Sequence, residues 1–293
     1  MNSADRKSLI AIPIVLVVGG GIAYAGSQGS GIVFGLPLFA LCVALAFLIQ
    51  WIAFIPAFLN KTEKYFDLTG SITYISVTIL AIAFSPQRDV RAFLLLGMVV
   101  VWAARLGRFL FKRIQAEGED RRFHEIKQSF SRFLLTWTLQ GLWVSFSLAA
   151  ALAAITAAKR VDLGPLAIAG FFVWVIGFVI EVVADRQKIE FRGEPENAGQ
   201  FIRSGLWSWS RHPNYFGEIV LWIGVAMIAY PGLSGWSYLT LISPVFIFFL
   251  LTRISGIPML EKRANEKWGG QAEYESYKEH TSVLIIMPPS DQK

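Results

Sequence analysis

Residues 164–184 read GPLAIAGFFVWVIGFVIEVVA, and this apolar run decides the fold class. Its single charged side chain is Glu181, near the carboxyl end. About 17–25 apolar residues cross a bilayer as a helix, so the run predicts a transmembrane helix. Similar runs recur along the chain, and they predict further spans at residues 9–25, 32–59, 70–85, 92–111, 133–158, 215–230 and 236–252.

The composition agrees with a membrane protein. Of the 293 residues, 54% are hydrophobic and 16% are charged, and the mean hydropathy is +0.50. A soluble domain carries about 25% charged residues. We therefore predict an all-α, polytopic transmembrane helical bundle of about eight spans, followed by an amphipathic tail over residues 256–280. It divides into a signal anchor with the first span at residues 1–26 and a transmembrane domain at residues 27–293.

The start of the chain allows an alternative. Arg6 and Lys7, a short apolar run and the small residues Ala23 and Ala25 also resemble a cleavable signal peptide. Cleavage would leave about seven spans and would not change the orientation of the others. We favour an uncleaved anchor.

Basic residues in the loops predict the orientation. With the N-terminus in the cytoplasm, most Lys and Arg side chains fall in inner segments, and the outer loops hold only Arg88, Arg91, Lys159 and Arg160. This asymmetry predicts that both termini are cytoplasmic. It also accounts for the net charge of +6 without nucleic-acid binding.

The stretch SRHPNYFGE at residues 210–218 places polar groups at the predicted mouth of a membrane helix. Desolvating such groups is costly, so they need partners or a ligand. Pro213 suits the first helical position, since its missing N–H has no helical partner there. The free N–H groups of that turn, the helix dipole and Arg211 predict an anion site, such as one for a phosphate-bearing cofactor. The alternative is a capped helix end with snorkelling side chains.

A second polar group follows the sixth span. Glu181 and Asp185 are four residues apart and share a helix face. We expect Arg192 to lie in a polar loop after them. The group predicts either a ligand contact or a salt bridge from Asp185 to Arg186 or Lys188.

Three other segments carry candidate binding residues. Asn214 and Glu218 share a helix face, and such a pair can hold a nicotinamide carboxamide or satisfy a buried helix contact. Arg105, at the predicted end of the fourth span, suits a phosphate contact or a snorkelling cation. In the tail, Tyr274 and Tyr277 predict either one wall of a site or an interfacial helix.

Several other kinds of site are excluded by spacing. His124, His212 and His280 are too scattered for a metal site, and Cys42 is the single cysteine. The glycines near the N-terminus lack the third glycine of a dinucleotide fingerprint and follow no strand. A Walker sequence and a Gly-x-Ser-x-Gly elbow are both absent from the sequence.

Taken in chain order, these residues resemble a known family. The matching segments are Glu181…Asp185-Arg186-Gln187…Arg192, Gly205-Leu206-Trp207, residues 210–218 and Glu261…Tyr274…Tyr277…Thr281. Over residues 61–288 the chain is similar to the membrane-bound steroid 5-alpha reductase family, above all to its bacterial branch, and more distantly to sterol reductases. The resemblance implies a helical bundle that holds NADPH in a cytosol-facing cavity and reduces a carbon–carbon double bond in a lipid.

The resemblance also implies site residues. The cofactor-binding residues that it suggests are Asp185, Arg192, Asn214 and Glu218 from the family motif, and Arg105, Arg253 and Tyr277 from less specific segments. We add Arg211 and His212 as phosphate contacts on electrostatic grounds, and Tyr215 beside them.

The chain departs from the steroid-reducing members at one place. Those enzymes use a Gln-Glu pair before a proline in an early span, and a tyrosine in a later one. Residues 51–56 here read WIAFIP, which has no carboxylate, and Trp102 occupies the tyrosine position. The polar candidates around the start of the third span are instead Glu63, Tyr65, Asp67 and Tyr74. We take Tyr65, Asp67 and Tyr215 as the catalytic candidates.

Two other functions remain open. Membrane methyltransferases of isoprenylcysteine or phospholipid type use S-adenosylmethionine and share the Arg-His-Pro-x-Tyr-x-Gly pattern of residues 211–217. Their tails usually carry paired glutamates, where this chain has Leu260-Glu261-Lys262. The other alternative is a catalytically silent binding protein on the same fold.

These observations predict a multi-pass protein of the bacterial inner membrane with its site facing the cytoplasm. We expect NADPH as the cofactor, a lipophilic substrate from the bilayer and membrane lipids as partners, and neither nucleic acid nor metal.

Overall fold

The computed structural model describes residues 3–288, and most of this range is helical. Its α-helices are α1 Ser3–Gly26, α2 Leu38–Leu59, α3 Phe66–Phe84, α4 Val90–Glu117, α5 Phe130–Thr156, α6 Pro165–Gly193, α7 Pro213–Ala229, α8 Ile242–Phe249, α9 Ile257–Trp268 and α10 Ala272–His280. Two short strands, β1 Ile32–Val33 and β2 Leu36–Pro37, form an antiparallel hairpin.

Eight helical segments in the described part of the chain are long and apolar enough to cross a membrane. They are Ser3–Gly26, Leu38–Leu59, Phe66–Phe84, Val90–Ala116, Phe130–Thr156, Pro165–Gly193, Pro213–Gly232 and Gly235–Trp268. The last combines a 3-10 segment, α8, a π-helical turn at Leu250–Ile254 and α9. The prediction of an all-α membrane chain with eight spans is confirmed.

The predicted start of the second span at residue 32 is wrong. Phe34 and Gly35 have φ angles of 53° and 78°, which a right-handed helix cannot contain. They form the turn between β1 and β2, and Pro37 occupies the N-cap position of the helix that follows. The apolar run therefore begins before the helix does, because the helix covers only the part of the run from Leu38 onward.

The sixth span is longer than its apolar run. α6 continues to Gly193, so Arg192 lies on the helix rather than in the loop that the sequence predicts. Arg, Gln, Lys and Glu favour helices, so the loss of hydrophobicity marks the edge of the apolar part and not the helix end. In the same way α4 continues to Glu117, which places Arg105 inside the helix.

The chain forms two compact units. The first takes in the chain up to Ala167 together with Ile228–Ser243, and the second takes in Ile168–Met227 and the chain from Pro244 onward. The core of the first unit includes an aromatic cluster of Phe54, Phe66, Phe123, Phe133 and Trp137. α5 is the most buried of the candidate spans.

In the second unit, glycines let α6 and α7 approach closely. A Cβ atom added to Gly217 would lie 2.6 Å from the carbonyl oxygen of Gly177. One added to Gly224 would lie 2.5 Å from the carbonyl oxygen of Gly170. Small residues allow such backbone contact between membrane helices. The contact brings the first turns of α7 beside the last turns of α6, where the predicted polar residues lie.

Candidate functional site

A cavity of about 310 Å³ lies within the second unit, and we call it the α9 cavity. Its lining comes from the end of α6, the segment before α7, α9 and α10. The lining residues are Lys188, Phe191, Arg192, Gln200, Phe201, Ile202, Trp207, Arg211, His212, Leu260, Glu261, Arg263, Ala264, Lys267, Trp268, Tyr274 and Tyr277. Five of these side chains are cationic at neutral pH and one is a carboxylate, so the cavity suits an anion.

The single carboxylate of the cavity is already engaged. Glu261 accepts a hydrogen bond from Arg211 Nη1 at 2.8 Å, and its other oxygen lies 2.8 Å from His212 Nε2. Two nitrogens of the same side chains, Arg211 Nε and His212 Nδ1, are buried without a hydrogen-bond partner. An unsatisfied buried polar group costs about 1–3 kcal/mol, so both atoms gain from a ligand.

His212 is buried, with 5% of its surface exposed. Burial lowers its pKa below the ordinary value, and the cations Lys188 and Arg211 add to this, while the bond to Glu261 acts in the opposite direction. The neutral ring then donates its Nε2 proton to Glu261 and leaves Nδ1 as an acceptor. His212 therefore offers a ligand a hydrogen-bond acceptor rather than a charge.

Aromatic rings form one wall of the α9 cavity. The Phe201 ring centroid lies 5.8 Å from that of Trp268, 5.1 Å from Tyr274 and 5.4 Å from Tyr277. The Tyr277 hydroxyl donates to the carbonyl oxygen of Trp207 at 2.6 Å, and burial raises the pKa of Tyr277. Such a wall offers π faces for a planar ring.

The segment before α7 is held by local hydrogen bonds. The Trp207 indole donates to the carbonyl oxygen of Ala184 at 3.0 Å, and Gln187 Oε1 accepts from the Leu206 N–H at 2.9 Å. The Arg211 N–H donates to the carbonyl oxygen of Ser282 at 2.8 Å. These bonds fix the backbone from which Arg211 and His212 project.

The start of α7 agrees with the sequence. Pro213 is its first residue, so the prediction that proline opens this helix is confirmed. Tyr215 stacks on His212, with ring centroids 5.8 Å apart and planes inclined by 12°. The ring of Tyr215 approaches the backbone at Gly256, where an added Cβ would lie 2.9 Å from Tyr215 Cε2.

The structure brings some of the predicted cofactor residues to the α9 cavity and places others outside its lining. Arg192, Arg211, His212 and Tyr277 line it. Asp185 is buried and accepts from Asn214 Nδ2 at 3.1 Å, so these two predicted ligand contacts meet each other.

The remaining predicted residues of the second unit lie elsewhere. Glu218 is half-buried one turn after Asn214 on α7, and Arg253 is exposed in the π-helical turn. π-helical turns within α-helices frequently occur at functional sites, so Arg253 stays a candidate for cofactor contact.

The other predicted site residues belong to the first unit. Tyr65 is 54% exposed and stacks on Phe111. Asp67 pairs with Arg113 Nη2 at 3.5 Å. Arg105 is half-buried and lies over the Phe109 ring at 5.6 Å.

The sequence reasoning missed the cations of α9 and Lys188. Arg263 and Lys267 are four residues apart, and Leu260 and Ala264 share their helix face. The sequence predicted an amphipathic tail, but it did not indicate Arg263 and Lys267 as binding residues. The signal in the sequence is their own spacing of four residues, which places both cations on one face of the helix.

Comparison with known proteins gives the family. Residues 53–281 match the model of a family described as "Protein of unknown function (DUF1295)". Among curated relatives, 3-oxo-5-alpha-steroid 4-dehydrogenase 1 of Rattus norvegicus is 29% identical over 121 residues, 41% of each chain, and that of Mus musculus is 30% identical over 41% of this chain and 42% of its own. Steroid 5-alpha-reductase DET2 of Gossypium hirsutum is 31% identical over 34% of each chain.

The chain thus spans about two fifths of the length of the first two relatives, at 41% and 42%. No solved structure matches the chain. The predicted resemblance to steroid 5-alpha reductases is confirmed over the matched part. Because the family model covers most of the sequence, the chain belongs to the family described as Protein of unknown function (DUF1295).

Proposed function

We propose that this protein is a membrane-embedded, NADPH-dependent reductase that saturates a carbon–carbon double bond in a lipid-like substrate such as a steroid, a sterol or another isoprenoid. The observation that carries the proposal is the charge imbalance of the α9 cavity, where five cationic side chains face one carboxylate that is already paired. The relatives named as steroid reductases support the reaction class.

The residues present fit a phosphorylated dinucleotide. Arg211 Nε is a buried donor without a partner, which suits a phosphate oxygen, and an ionised acceptor strengthens such a bond. His212 Nδ1 is a buried acceptor without a partner, which suits a ribose hydroxyl or a carboxamide N–H. The ring wall of Phe201, Trp268 and Tyr274 suits a planar base.

In this proposal Arg192, Arg211, His212 and Tyr277 hold NADPH, which when bound supplies a hydride to the substrate double bond. The hydrogen bond between Asp185 and Asn214 joins the end of α6 to the start of α7. Glu218, Arg253 and Arg105 remain weaker candidates for cofactor contact.

The protein must also supply a proton or a hydrogen-bond donor to the reduced lipid, and it must exclude water while charge develops. We retain Tyr215 for this role, because it stacks on His212, which lines the cavity. We assign Asp67 to structure, since its carboxylate pairs with Arg113. Tyr65 is exposed in the first unit and stays a candidate for contact with lipid substrate entering from the bilayer.

The location follows from the same proposal. A nicotinamide cofactor is available in the cytoplasm, so the site faces that side of a bacterial inner membrane. The lipid substrate enters from the apolar phase that the eight spans occupy.

The methyltransferase alternative is disfavoured by charge. S-adenosylmethionine carries a sulfonium and an ammonium against one carboxylate, so its net charge is positive. A cavity with an excess of Lys and Arg repels such a ligand. A dinucleotide with several phosphate charges is attracted by the same field.

The test is a comparison of ligands by thermal unfolding of the purified protein in detergent. A ligand at 100 times its dissociation constant that binds only the folded state adds about 2.7 kcal/mol to stability. We expect NADPH to raise the melting temperature and S-adenosylmethionine to leave it unchanged. Stabilisation by S-adenosylmethionine alone would overturn the reductase proposal, and stabilisation by neither would favour a silent binding protein.

A further inference from the structure

The cations of the α9 cavity fall into an inner and an outer group. In the inner group, Arg211 has 13% of its side chain exposed and is bound to Glu261, and Lys188 is half-buried over the Trp207 ring. Arg192, Arg263 and Lys267 are exposed at the cavity edge. The two groups therefore offer two separate places for negative charge in one cavity.

The outer group lacks acidic partners. No ion pair joins Arg192, Arg263 or Lys267 to a carboxylate within residues 3–288. By contrast, Lys262 on the same helix pairs with Glu266 at 3.9 Å. Placing like charges close together without counter-ions is unfavourable, so a ligand anion gains from meeting them.

The geometry of α9 places the charges of Arg263 and Lys267 on the helix face that lines the cavity. Arg263 and Lys267 are four residues apart on α9 and both line the cavity, as does Ala264 between them. The small side chain of Ala264 leaves room beside them. Lys267 Nζ lies 4.7 Å from the centroid of the Trp268 ring, so a cation and an aromatic face adjoin each other.

This edge of the cavity therefore places a face for a planar base next to cations for a phosphate. The Trp268 ring is continuous with the Phe201 and Tyr274 rings, on which a purine can stack. A phosphate on the ribose next to that purine would lie against the α9 cations. A lipid headgroup supplies a phosphate but no base, so the aromatic wall favours the nucleotide.

We propose that Arg263 and Lys267, with Arg192 of the same cavity lining, bind a ribose phosphate adjacent to the adenine and thereby select the phosphorylated dinucleotide over the unphosphorylated one. This inference rests on the proposed function and names the residues that distinguish NADPH from NADH. Arg211 then serves the phosphates that both dinucleotides share.

Adenosine monophosphates and diphosphates test this without catalysis. Binding of 5′-AMP, 2′,5′-ADP and inorganic phosphate is measured by isothermal titration calorimetry on the full-length protein in detergent, with wild type, Arg263→Gln, Lys267→Gln and the double variant. We expect wild type to bind 2′,5′-ADP about tenfold tighter than 5′-AMP, which corresponds to about 1.4 kcal/mol. We expect the double variant to lose this preference while its affinity for 5′-AMP stays unchanged.

Lys262→Gln is the matched control, because Lys262 lies on the same helix, is exposed and is not part of the cavity lining. All variants are exposed substitutions, and a melting temperature equal to wild type shows that each is folded. If the double variant keeps the tenfold preference, or if inorganic phosphate competes as well as 2′,5′-ADP does, the selectivity inference is wrong. If wild type binds none of the nucleotides, including NADPH, the proposed function itself fails.

Discussion

Charged side chains are arranged differently in the two units of the molecule. In the first unit Glu63 is buried and receives hydrogen bonds from Lys127 Nζ at 2.9 Å and from the Asp120 N–H at 2.9 Å. Asp67 pairs with Arg113, which lies 46 residues later in the chain. In the second unit the α9 cavity holds five cations against one carboxylate.

The difference separates structural charge from binding charge. A buried carboxylate matched to a cation is satisfied within the protein, and removing its partner leaves an uncompensated charge. Among the described cavity cations, Arg192, Arg263 and Lys267 have no carboxylate partner, so a ligand or solvent must balance their charge. Polar residues at a membrane-helix end therefore indicate function when their charges do not balance locally, and indicate stability when they do.

The largest effect is expected from breaking the balanced pair. Lys127→Met removes the cation from Glu63, whose side chain is 4% exposed. Losing one partner of a buried ion pair costs about 3–5 kcal/mol, so we expect a clear fall in melting temperature, measured by circular dichroism in detergent. The affinity of the folded fraction for NADPH should not change.

Lys159→Met is the control for this prediction, because Lys159 is exposed. A Lys127→Met protein as stable as wild type would show that the Glu63 pair contributes nothing. A selective loss of nucleotide affinity without loss of stability would assign the pair to the ligand and remove the contrast between the two units.

A smaller effect is expected from the pH dependence of the α9 cavity. Burial, with the cations Lys188 and Arg211, holds the pKa of His212 below its ordinary value, despite the opposing bond to Glu261. The unfolded chain then takes up the proton first as the pH falls below about 6.5, so stability is lost on acidification. We expect His212→Gln to melt with less pH dependence than wild type between about pH 7.5 and 5.5.

His124 serves as the control histidine, since 72% of its side chain is exposed. His124→Gln should keep the wild-type pH dependence. An identical pH dependence in wild type and His212→Gln would mean that His212 is not held neutral by its surroundings. Burial and the neighbouring cations would then lack their expected effect on the His212 ring.

Much of the fold was predictable because membrane crossing is a local property of the sequence. Each span is set by its own apolar run, so the count of eight followed from hydropathy. The boundaries of the helices were less predictable, because α6 continues beyond its apolar part to Gly193. The turn at Phe34 and Gly35 lies within an apolar run, and no polar residue in that run indicates a turn.

The site was predictable only in part, because it depends on pairs of residues far apart in sequence. The sequence indicated Arg211 and His212 but not that both would bind Glu261, about fifty residues later on α9. It indicated Asp185 and Asn214 as separate ligand contacts, whereas the close packing of α6 and α7 joins them to each other.

The most direct test of the central claim is an experimental structure of the protein determined with NADPH bound. We expect density for the nucleotide in the α9 cavity, with its pyrophosphate at Arg211, its adenine against Trp268 and its ribose phosphate at Arg263 and Lys267. Well-defined NADPH density elsewhere in the protein, with the α9 cavity filled only by solvent, would contradict it.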